Sequence, residues 1–377
     1  MGVPPTIFLA AGEPSGDLHG AAVAGALLRR WPGARLLGLA GPRMQAAGVE
    51  PIAEFDRLAV MGFVEVLRHL PFFTGLLRRS VRALDEEDVD LVLPIDYPGF
   101  NLRLAQRASA AGIPVLYYIA PQVWAWHRSR AARLASIADR LAVILPFEPE
   151  VFREYGADVH FVGHPLVDRD AEAEERGRFA ESLGLDPARR ILAIFPGSRV
   201  QEVERHLEIF VRAAERVVEA RWHVQPVVAR STDVPGAAYR ACPFPVTTDG
   251  RSLLMHAHAA LVKSGTTTLE TALAGVPMVI AYRTHPVTFW LARRLVRVEH
   301  VGLANLVAGR RIAPELLQDE ATPGSLAAAL LPLIDEGPAR TAALEGVRQV
   351  GESLKPVGQG TAADRVAQLA AELLEGR

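Results

Sequence analysis

The feature that most constrains the fold of this chain is a series of short apolar segments, each followed by a polar turn and a helical stretch. Segments of this kind lie at 6–11, 34–41, 91–95, 113–121, 140–147 and 159–165. None of them alternates between apolar and polar residues, so none has a face suited to water. Uniformly apolar strands separated by helices indicate a parallel sheet that is covered on both faces.

The same pattern begins again at 191–199 and continues to 276–282. The chain has 377 residues, half of them hydrophobic, which is enough for two cores. We therefore predict an α/β protein with two Rossmann-like, doubly wound domains over 1–168 and 189–351, and a C-terminal helix at 359–377 that can pack back onto the first. Ligands of such sheets bind beyond the carboxyl ends of the strands, so the polar turns there are expected to face a central cleft.

Composition excludes several classes of protein. A net charge of −2 gives no general attraction to nucleic acid. Cys242 is the only cysteine, which excludes an internal disulfide and fits a reducing cytoplasm. The N-terminal segment lacks the basic region of a signal peptide, and no apolar run reaches the roughly 18 residues of a membrane span. A cytoplasmic protein that could form a homo-oligomer is expected.

The stretch 261–277 ends a buried strand in a polar turn and continues into a helix. Its turn residues are Lys263, Ser264, Gly265, Thr266, Thr267 and Thr268, and Glu270 falls in the first helical turn. Backbone N–H groups, hydroxyls and the positive end of a helix would together favour a phosphate. An ordinary strand–helix corner with a threonine cap is the alternative.

The turn at 196–199 repeats this arrangement in the second domain. Gly197 and Ser198 would expose N–H groups where a helix begins, and the Arg199 guanidinium can bind a phosphate through two hydrogen bonds. Glu202 and Glu204 follow in the first turn, where a favourable interaction with the helix dipole explains them.

The turn at 12–17, GEPSGD, follows the first strand and lacks the spacing of a dinucleotide-binding or P-loop motif. Gly12 and Gly16 would allow a ligand to approach the backbone, and Ser15 and Asp17 could bind sugar hydroxyls or cap the helix. With Glu13, these residues are candidates for an acceptor site. A plain capped turn is the alternative.

Asp96 ends a buried strand immediately before a Pro-Gly turn. A carboxylate there could be a general base with a raised pKa. Alternatively it caps the following helix, a role that Asn101 could also fill. We find no metal motif: the acidic run before residue 91 reads as a solvated face, and His256 and His258 would point to different faces of a helix. No cofactor is expected.

The segment 60–82 combines apolar bulk with a basic fringe. Its apolar candidates are Phe63, Leu67, Leu70, Phe72, Phe73, Leu76 and Leu77, and its arginines include Arg78, Arg79 and Arg82. This pattern suits a helix that lies on an anionic lipid surface. A core helix with an arginine-rich outer face is the alternative. Because glycine and proline interrupt the segment, we favour the membrane interpretation for 60–77.

Long motifs along the chain resemble the lipid-A-disaccharide synthase family. They are AGEPSGD (11–17), AGPRMQAAG (40–48), VMGFVEVL (60–67), PQVWAWH (121–127), FVGHPLVD (161–168), PGSR-x-x-EV (196–203), SGTTTLE (264–270), YRTHPVTFWLARRLV (282–296) and GLANLVAGR (302–310). The resemblance covers nearly the whole chain in the same order. One departure is Gly99, which stands where the family carries an acidic residue.

The resemblance implies a GT-B glycosyltransferase fold and an inverting transfer of 2,3-diacylglucosamine from its UDP conjugate to 2,3-diacylglucosamine 1-phosphate. It implies that Asp96 is the base, that Arg199, Ser264 to Thr268, Glu270 and Asn305 hold UDP, and that GEPSGD lines the acceptor side. It also implies a place on the cytoplasmic face of the inner membrane. Rival interpretations are an N-acetylglucosaminyltransferase, a UDP-sugar 2-epimerase, or a non-catalytic module that binds lipid or nucleotide.

Overall fold

The computed structural model describes residues 4–54, 70–124, 128–168, 173–285, 289, 299–356 and 358–376. The chain forms two compact units, residues 1–168 with 354–377, and residues 169–353. In the described ranges no helix is long and apolar enough to cross a membrane.

The first unit is built on parallel strands in the orders β3-β2-β1-β4 and β5-β6-β7. Two isolated bridges, Val92 to Val115 and Ile95 to Tyr118, join β4 to β5. The strands are β1 (Thr6–Ala10), β2 (Arg35–Leu39), β3 (Glu50–Pro51), β4 (Leu91–Pro94), β5 (Leu116–Tyr118), β6 (Arg140–Val143) and β7 (Val159–Phe161). The helices are α1 (Pro14–Arg30), α2 (Pro42–Ala46), α3 (Leu70–Glu86), α4 (Pro98–Ala110), α5 (Arg128–Ile137) and α6 (Glu148–Arg153).

Both faces of this sheet are buried, as uniformly apolar strands require. Phe8 and Tyr117 belong to the core on one face, whereas Ile7 and Tyr118 belong to the core on the other. The terminal helix of the chain adds Val366 to the second of these cores. Arg29 of α1 forms a salt bridge of 2.7 Å with Asp364 on that terminal helix.

The second unit contains a parallel sheet in the order β10-β9-β8-β11-β12-β13. Its strands are β8 (Arg190–Phe195), β9 (Val224–Ala229), β10 (Val246–Thr247), β11 (Ala257–Lys263), β12 (Met278–Tyr282) and β13 (Glu315–Leu317). Its helices are α7 (Arg176–Ser182), α8 (Val200–Ala220), α9 (Gly250–His256), α10 (Thr267–Leu273), α11 (Leu303–Ala308), α12 (Pro323–Ile334) and α13 (Pro338–Ser353), and α14 (Ala362–Glu375) is the terminal helix of the first unit.

Because the two bridges join the strands of the first unit into one layer, the prediction of an α/β protein with two doubly wound parallel sheets is confirmed. The edge strands β3, β10 and β13 went unpredicted because two or three residues carry no periodic signal. The placement of His256 and His258 on one helix is also wrong. Helix α9 ends at His256, and His258 lies in β11.

The membrane interpretation of 60–77 is wrong for Leu76. That side chain is buried in the core of the first unit, and Phe72, Phe73 and Leu77 pack against the same core. Helix α3 turns its exposed arginines Arg78, Arg79 and Arg82 to solvent. It is therefore a core helix with a basic outer face, because its apolar residues recur at helical spacing. Phe63 and Leu67 and the side chain of Leu70 lie outside the described residues.

Candidate active site

Asp96 follows β4 in a backbone conformation that few residues adopt. Its φ is 49°, and Tyr97 has φ 49° and ψ 56°. Two consecutive non-glycine residues in the left-handed region are strained, so the surrounding structure must hold them there. Tyr97 is the N-cap of the helix Pro98–Ala110 and makes no side-chain cap. Asp96 is therefore not the helix cap.

Three hydrogen bonds fix the Asp96 backbone. Its carbonyl accepts from Asn101 Nδ2 at 2.8 Å and from the Tyr117 hydroxyl at 2.9 Å, and its N–H donates to the Tyr118 carbonyl at 3.0 Å. Asn101 is fully buried and also donates to the carbonyl of Ala10 at 2.9 Å. The side chain of Asn101 thus ties the ends of β1 and β4 together at Asp96.

The electrostatic setting of Asp96 suits a base that works near neutral pH. Burial, with a contribution from the negative charge of Glu13, raises the pKa of Asp96 to about 6. Asp96 lines a cavity of about 270 Å³ with Gln122, Arg130 and Glu148. A carboxylate of this basicity accepts a hydroxyl proton more readily than an ordinary aspartate, yet it is ionised above pH 6.

Glu148 is a second carboxylate of this cavity that the sequence did not single out. It is fully buried, and burial raises its pKa to about 7. Its oxygens accept from Trp124 Nε1 at 3.1 Å and from the N–H of Leu145 at 2.9 Å. Because these hydrogen bonds join the Glu148 carboxylate to the Trp124 side chain and to the backbone after β6, Glu148 holds the loop that carries Trp124 in place. The sequence feature that could have identified Glu148 is its position shortly after the buried strand β6.

The GEPSGD turn serves the fold in ways that the sequence did not reveal. A Cβ atom on Gly12 would clash with the Tyr97 ring, so glycine is needed there to admit that ring. Asp17 is buried, and its carboxylate accepts from the N–H groups of Arg43 and Met44 at 3.0 Å each. Asp17 thus caps α2.

The remaining members of that turn stay candidates for the acceptor site. Glu13 and Ser15 are exposed, and Gly16 is buried. Gly99, in the first turn of α4, leaves open space where a side chain would begin.

We expect Tyr117→Phe to lower kcat about three- to tenfold, because it removes one of two hydrogen bonds that hold the Asp96 carbonyl in a strained conformation. Tyr118→Phe is a matched control: Tyr118 is also fully buried in β5 but faces the other core. Steady-state kinetics of both variants, with thermal melts, would check this. Equal losses in the two variants would mean that Tyr117 matters only for packing.

In the second unit, the turn at 196–199 is formed around Glu202. Gly197 has φ 133°, and the N–H of Ser198 donates to Glu202 Oε2 at 3.0 Å. The other carboxylate oxygen accepts from Lys263 Nζ at 2.8 Å. Helix α8 begins directly after this turn, with Arg199 as its N-cap residue.

A cavity of about 450 Å³ lies beside this turn and is rich in cations. Arg199, Arg205, Lys263 and Arg283 line it, and Glu202 is the one carboxylate among the described residues of its lining. Four positive groups facing one negative group favour a polyanionic ligand. The sequence had indicated Arg199 and Lys263, and the fold adds Arg205 and Arg283.

His206 fixes the backbone of this cavity. It is buried, its Nδ1 bonds the Glu202 carbonyl at 2.7 Å, and its Nε2 accepts from the N–H of Arg283 at 2.9 Å. Burial lowers the pKa of His206, so the neutral ring can keep both bonds. Only the fold, which places β12 beside α8, reveals this role.

Three side chains that were predicted to bind phosphate make hydrogen bonds within the protein instead. Asn305 is fully buried; its Nδ2 donates to Glu315 Oε1 and its Oδ1 accepts from the N–H of Ile312. The hydroxyl of Ser264 donates to the Val301 carbonyl, and that of Thr268 donates to the Gly265 carbonyl. We therefore correct the assignment of these three side chains from ligand contact to structure.

The rest of the 263–270 turn remains accessible. Thr266 is exposed, and Gly265, Thr267 and Glu270 are partly buried. Thr266 is the N-cap residue of the seven-residue helix α10, but its side chain accepts no capping hydrogen bond, so the alternative of a simple threonine cap does not explain this residue.

The comparisons with known proteins agree along the whole chain. A protein-family model described as lipid-A-disaccharide synthetase matches residues 7–368. The lipid-A-disaccharide synthase of Trichlorobacter lovleyi is 40% identical over 382 residues, with 100% of this chain and 99% of the relative covered.

Solved structures confirm the predicted GT-B architecture. The calicheamicin glycosyltransferase CalG4 matches with a TM-score of 0.64 at 20% identity, covering 99% of each chain. MurG of Acinetobacter baumannii matches with a TM-score of 0.56 at 15% identity, covering 99% of this chain and 100% of its own. These identities establish only the fold, whereas the family model and the close relative are specific. The chain therefore belongs to the lipid-A-disaccharide synthase family.

Proposed function

We propose that this protein is an inverting glycosyltransferase that joins two acylated glucosamines. The donor is UDP-2,3-diacylglucosamine, the acceptor is 2,3-diacylglucosamine 1-phosphate, and the products are the β(1→6) disaccharide 1-phosphate and UDP. The observation that carries the proposal is Asp96, whose raised pKa and braced backbone suit a general base in a chain of this family.

The chemistry requires one base and one group of cations. The Asp96 carboxylate takes the proton of the acceptor 6-hydroxyl while that oxygen attacks the anomeric carbon of the donor. The bond from this carbon to the diphosphate breaks, and UDP leaves with the electron pair. Attack from the face opposite the leaving group inverts the anomeric centre.

The leaving diphosphate needs its developing charge stabilised. We assign this role to Arg199 and Lys263, assisted by the N–H groups of the turns at 197–198 and 265–267. The arginine can form two parallel hydrogen bonds to phosphate oxygens, whereas the lysine acts as a point charge. The cluster of cations in the 450 Å³ cavity supports this assignment.

The direct test is mass spectrometry of the products. Purified protein given UDP-2,3-diacylglucosamine and the monosaccharide 1-phosphate should yield a disaccharide 1-phosphate and UDP in equal amounts. Each substrate incubated alone is the control. Release of UDP without a disaccharide, or isomerisation of the donor sugar, would contradict the transfer reaction.

We further infer that the first unit meets the membrane through the basic face of α3, as acylated substrates would require. Arg78 and Arg82 are exposed and one helical turn apart. Because a basic residue near an anionic surface contributes roughly 1 kcal/mol, the double variant Arg78→Gln, Arg82→Gln should weaken vesicle binding about tenfold to thirtyfold.

Sedimentation with vesicles containing anionic lipid would measure this binding. The matched control is Arg178→Gln, Arg251→Gln, which removes two exposed arginines from the second unit. Equal losses in the two double variants would show a general charge effect and no defined membrane face.

A further inference from the structure

We propose that Glu202 is an internal anion that competes with the donor diphosphate for Lys263 and for the N–H of Ser198, and so sets the affinity of the donor site. The inference rests on the proposed function, because it assumes that the cationic cavity binds UDP. It gives Glu202 a role in ligand specificity, in addition to the favourable interaction with the helix dipole that its position in the first helical turn explains.

The two oxygens of Glu202 engage donors that a phosphate would also use. Oε2 accepts from the Ser198 N–H at 3.0 Å, and Oε1 accepts from Lys263 Nζ at 2.8 Å. The side chains of Lys263 and Glu202 are 16% and 17% exposed, so solvent screens the pair only in part. A backbone N–H at a glycine turn and an ammonium group are typical partners of a phosphate oxygen.

The turn is shaped to admit this carboxylate. A Cβ on Gly197 would lie 2.5 Å from the Glu202 Cβ and 2.8 Å from its Oε2, and Gly197 has a φ of 133°. Burial opposes ionisation of Glu202, but the hydrogen bond and charge of Lys263, together with the Ser198 N–H and the charge of Arg199, outweigh it, so the pKa of Glu202 lies below its ordinary value. The internal anion therefore stays charged at neutral pH.

The charges around Glu202 decide which ligands can displace it. Arg199, Arg205 and Arg283 line the same cavity. A ligand with a single phosphate would replace one anion by another at Lys263, so it would gain little binding free energy. A diphosphate can displace Glu202 with one phosphate and engage the arginines with the other. The arrangement thus favours a nucleoside diphosphate over a nucleoside monophosphate.

The alternative role for Glu202 is to orient Lys263 toward the ligand, and it predicts an effect of opposite sign. Removing a competitor tightens ligand binding, whereas removing an orienting partner weakens it. Glu202→Gln keeps the size of the side chain and deletes its charge. Glu204→Gln is the matched control. Glu204 is exposed two residues further along the same helix, and this substitution removes the same charge.

Calorimetry with UDP and with inorganic pyrophosphate at constant ionic strength tests the proposal. Glu202→Gln should bind both probes about three- to tenfold more tightly, a change typical of one partly screened charge interaction, and Glu204→Gln should change binding less than twofold. In a Lys263→Gln background the gain from Glu202→Gln should shrink, because the contested cation is gone.

Weaker or unchanged binding by a Glu202→Gln protein with a wild-type thermal melt would overturn the proposal. If that variant does not fold, Glu202→Asp keeps the charge but shortens the reach to Lys263, and it should also bind UDP more tightly. Weaker or unchanged UDP binding by a folded Glu202→Asp protein would then overturn the proposal. Absence of UDP binding by the wild-type protein would instead contradict the proposed donor site itself.

Discussion

Asp96→Asn should lower kcat by about 10²–10⁴-fold, the usual cost of losing a general base, while the affinity for UDP stays nearly unchanged. The Tyr97 N–H donates to the Asp96 carboxylate. The amide matches the carboxylate in size and keeps an oxygen for that N–H, but it cannot take the proton of the acceptor hydroxyl. The backbone bonds from Asn101 and Tyr117 are untouched by the change. Single-turnover rates together with UDP calorimetry would separate the chemical step from binding.

The pH dependence supplies an independent check. Because the base must be ionised and the pKa of Asp96 is raised to about 6, the wild-type rate should fall as pH drops through 6. This acid limb should vanish in Asp96→Asn if chemistry limits turnover. A folded variant that binds UDP and turns over within threefold of wild type would remove Asp96 from the mechanism. Glu13 would be tested next, because Asp17 is committed to capping α2.

Arg199→Ala should weaken UDP binding about tenfold to a hundredfold, since a charge-assisted hydrogen bond to a phosphate contributes roughly 1.5–3 kcal/mol. Arg199 is exposed at the start of α8 and lines the cationic cavity, so its removal should leave the core intact. The dissociation constant for UDP from calorimetry is the measurement. Arg216→Ala removes an exposed arginine further along the same helix and should leave that constant unchanged.

Unchanged UDP affinity in Arg199→Ala would mean that other cations hold the diphosphate. Arg205 and Arg283 line the same cavity and would then be the residues to replace. A loss of equal size in Arg216→Ala would point to the overall charge of the protein instead of a direct contact.

The central strands and the two sheets could be predicted because burial on both faces leaves a strong signal. β1, β4 and β8 are short, they are apolar apart from the first residues Thr6 and Arg190 of β1 and β8, and polar turns follow them. The start of α4 was harder to place. It begins at Pro98, three residues before Asn101, which the sequence had offered as an alternative cap, because proline at the first helical position needs no N–H partner.

The sequence by itself determined the fold class, the family and the position of the chemical groups along the chain. Strand–turn–helix repeats place Asp96 and Arg199 just beyond the carboxyl ends of buried strands, and parallel sheets direct ligands to those ends. These features are local, so periodicity and motif spacing report them.

Only the tertiary structure decided which polar groups are used by the fold itself. Asn305 appeared free to bind UDP but is buried against Glu315, and Leu76 appeared free to enter a membrane but lies in the core. Asp96 and Glu202 each have one partner that is distant in sequence: Tyr117 is 21 residues from Asp96, and Lys263 is 61 residues from Glu202. Such pairings arise when strands assemble side by side, and no local pattern encodes which hydrogen-bond donors meet which acceptors there.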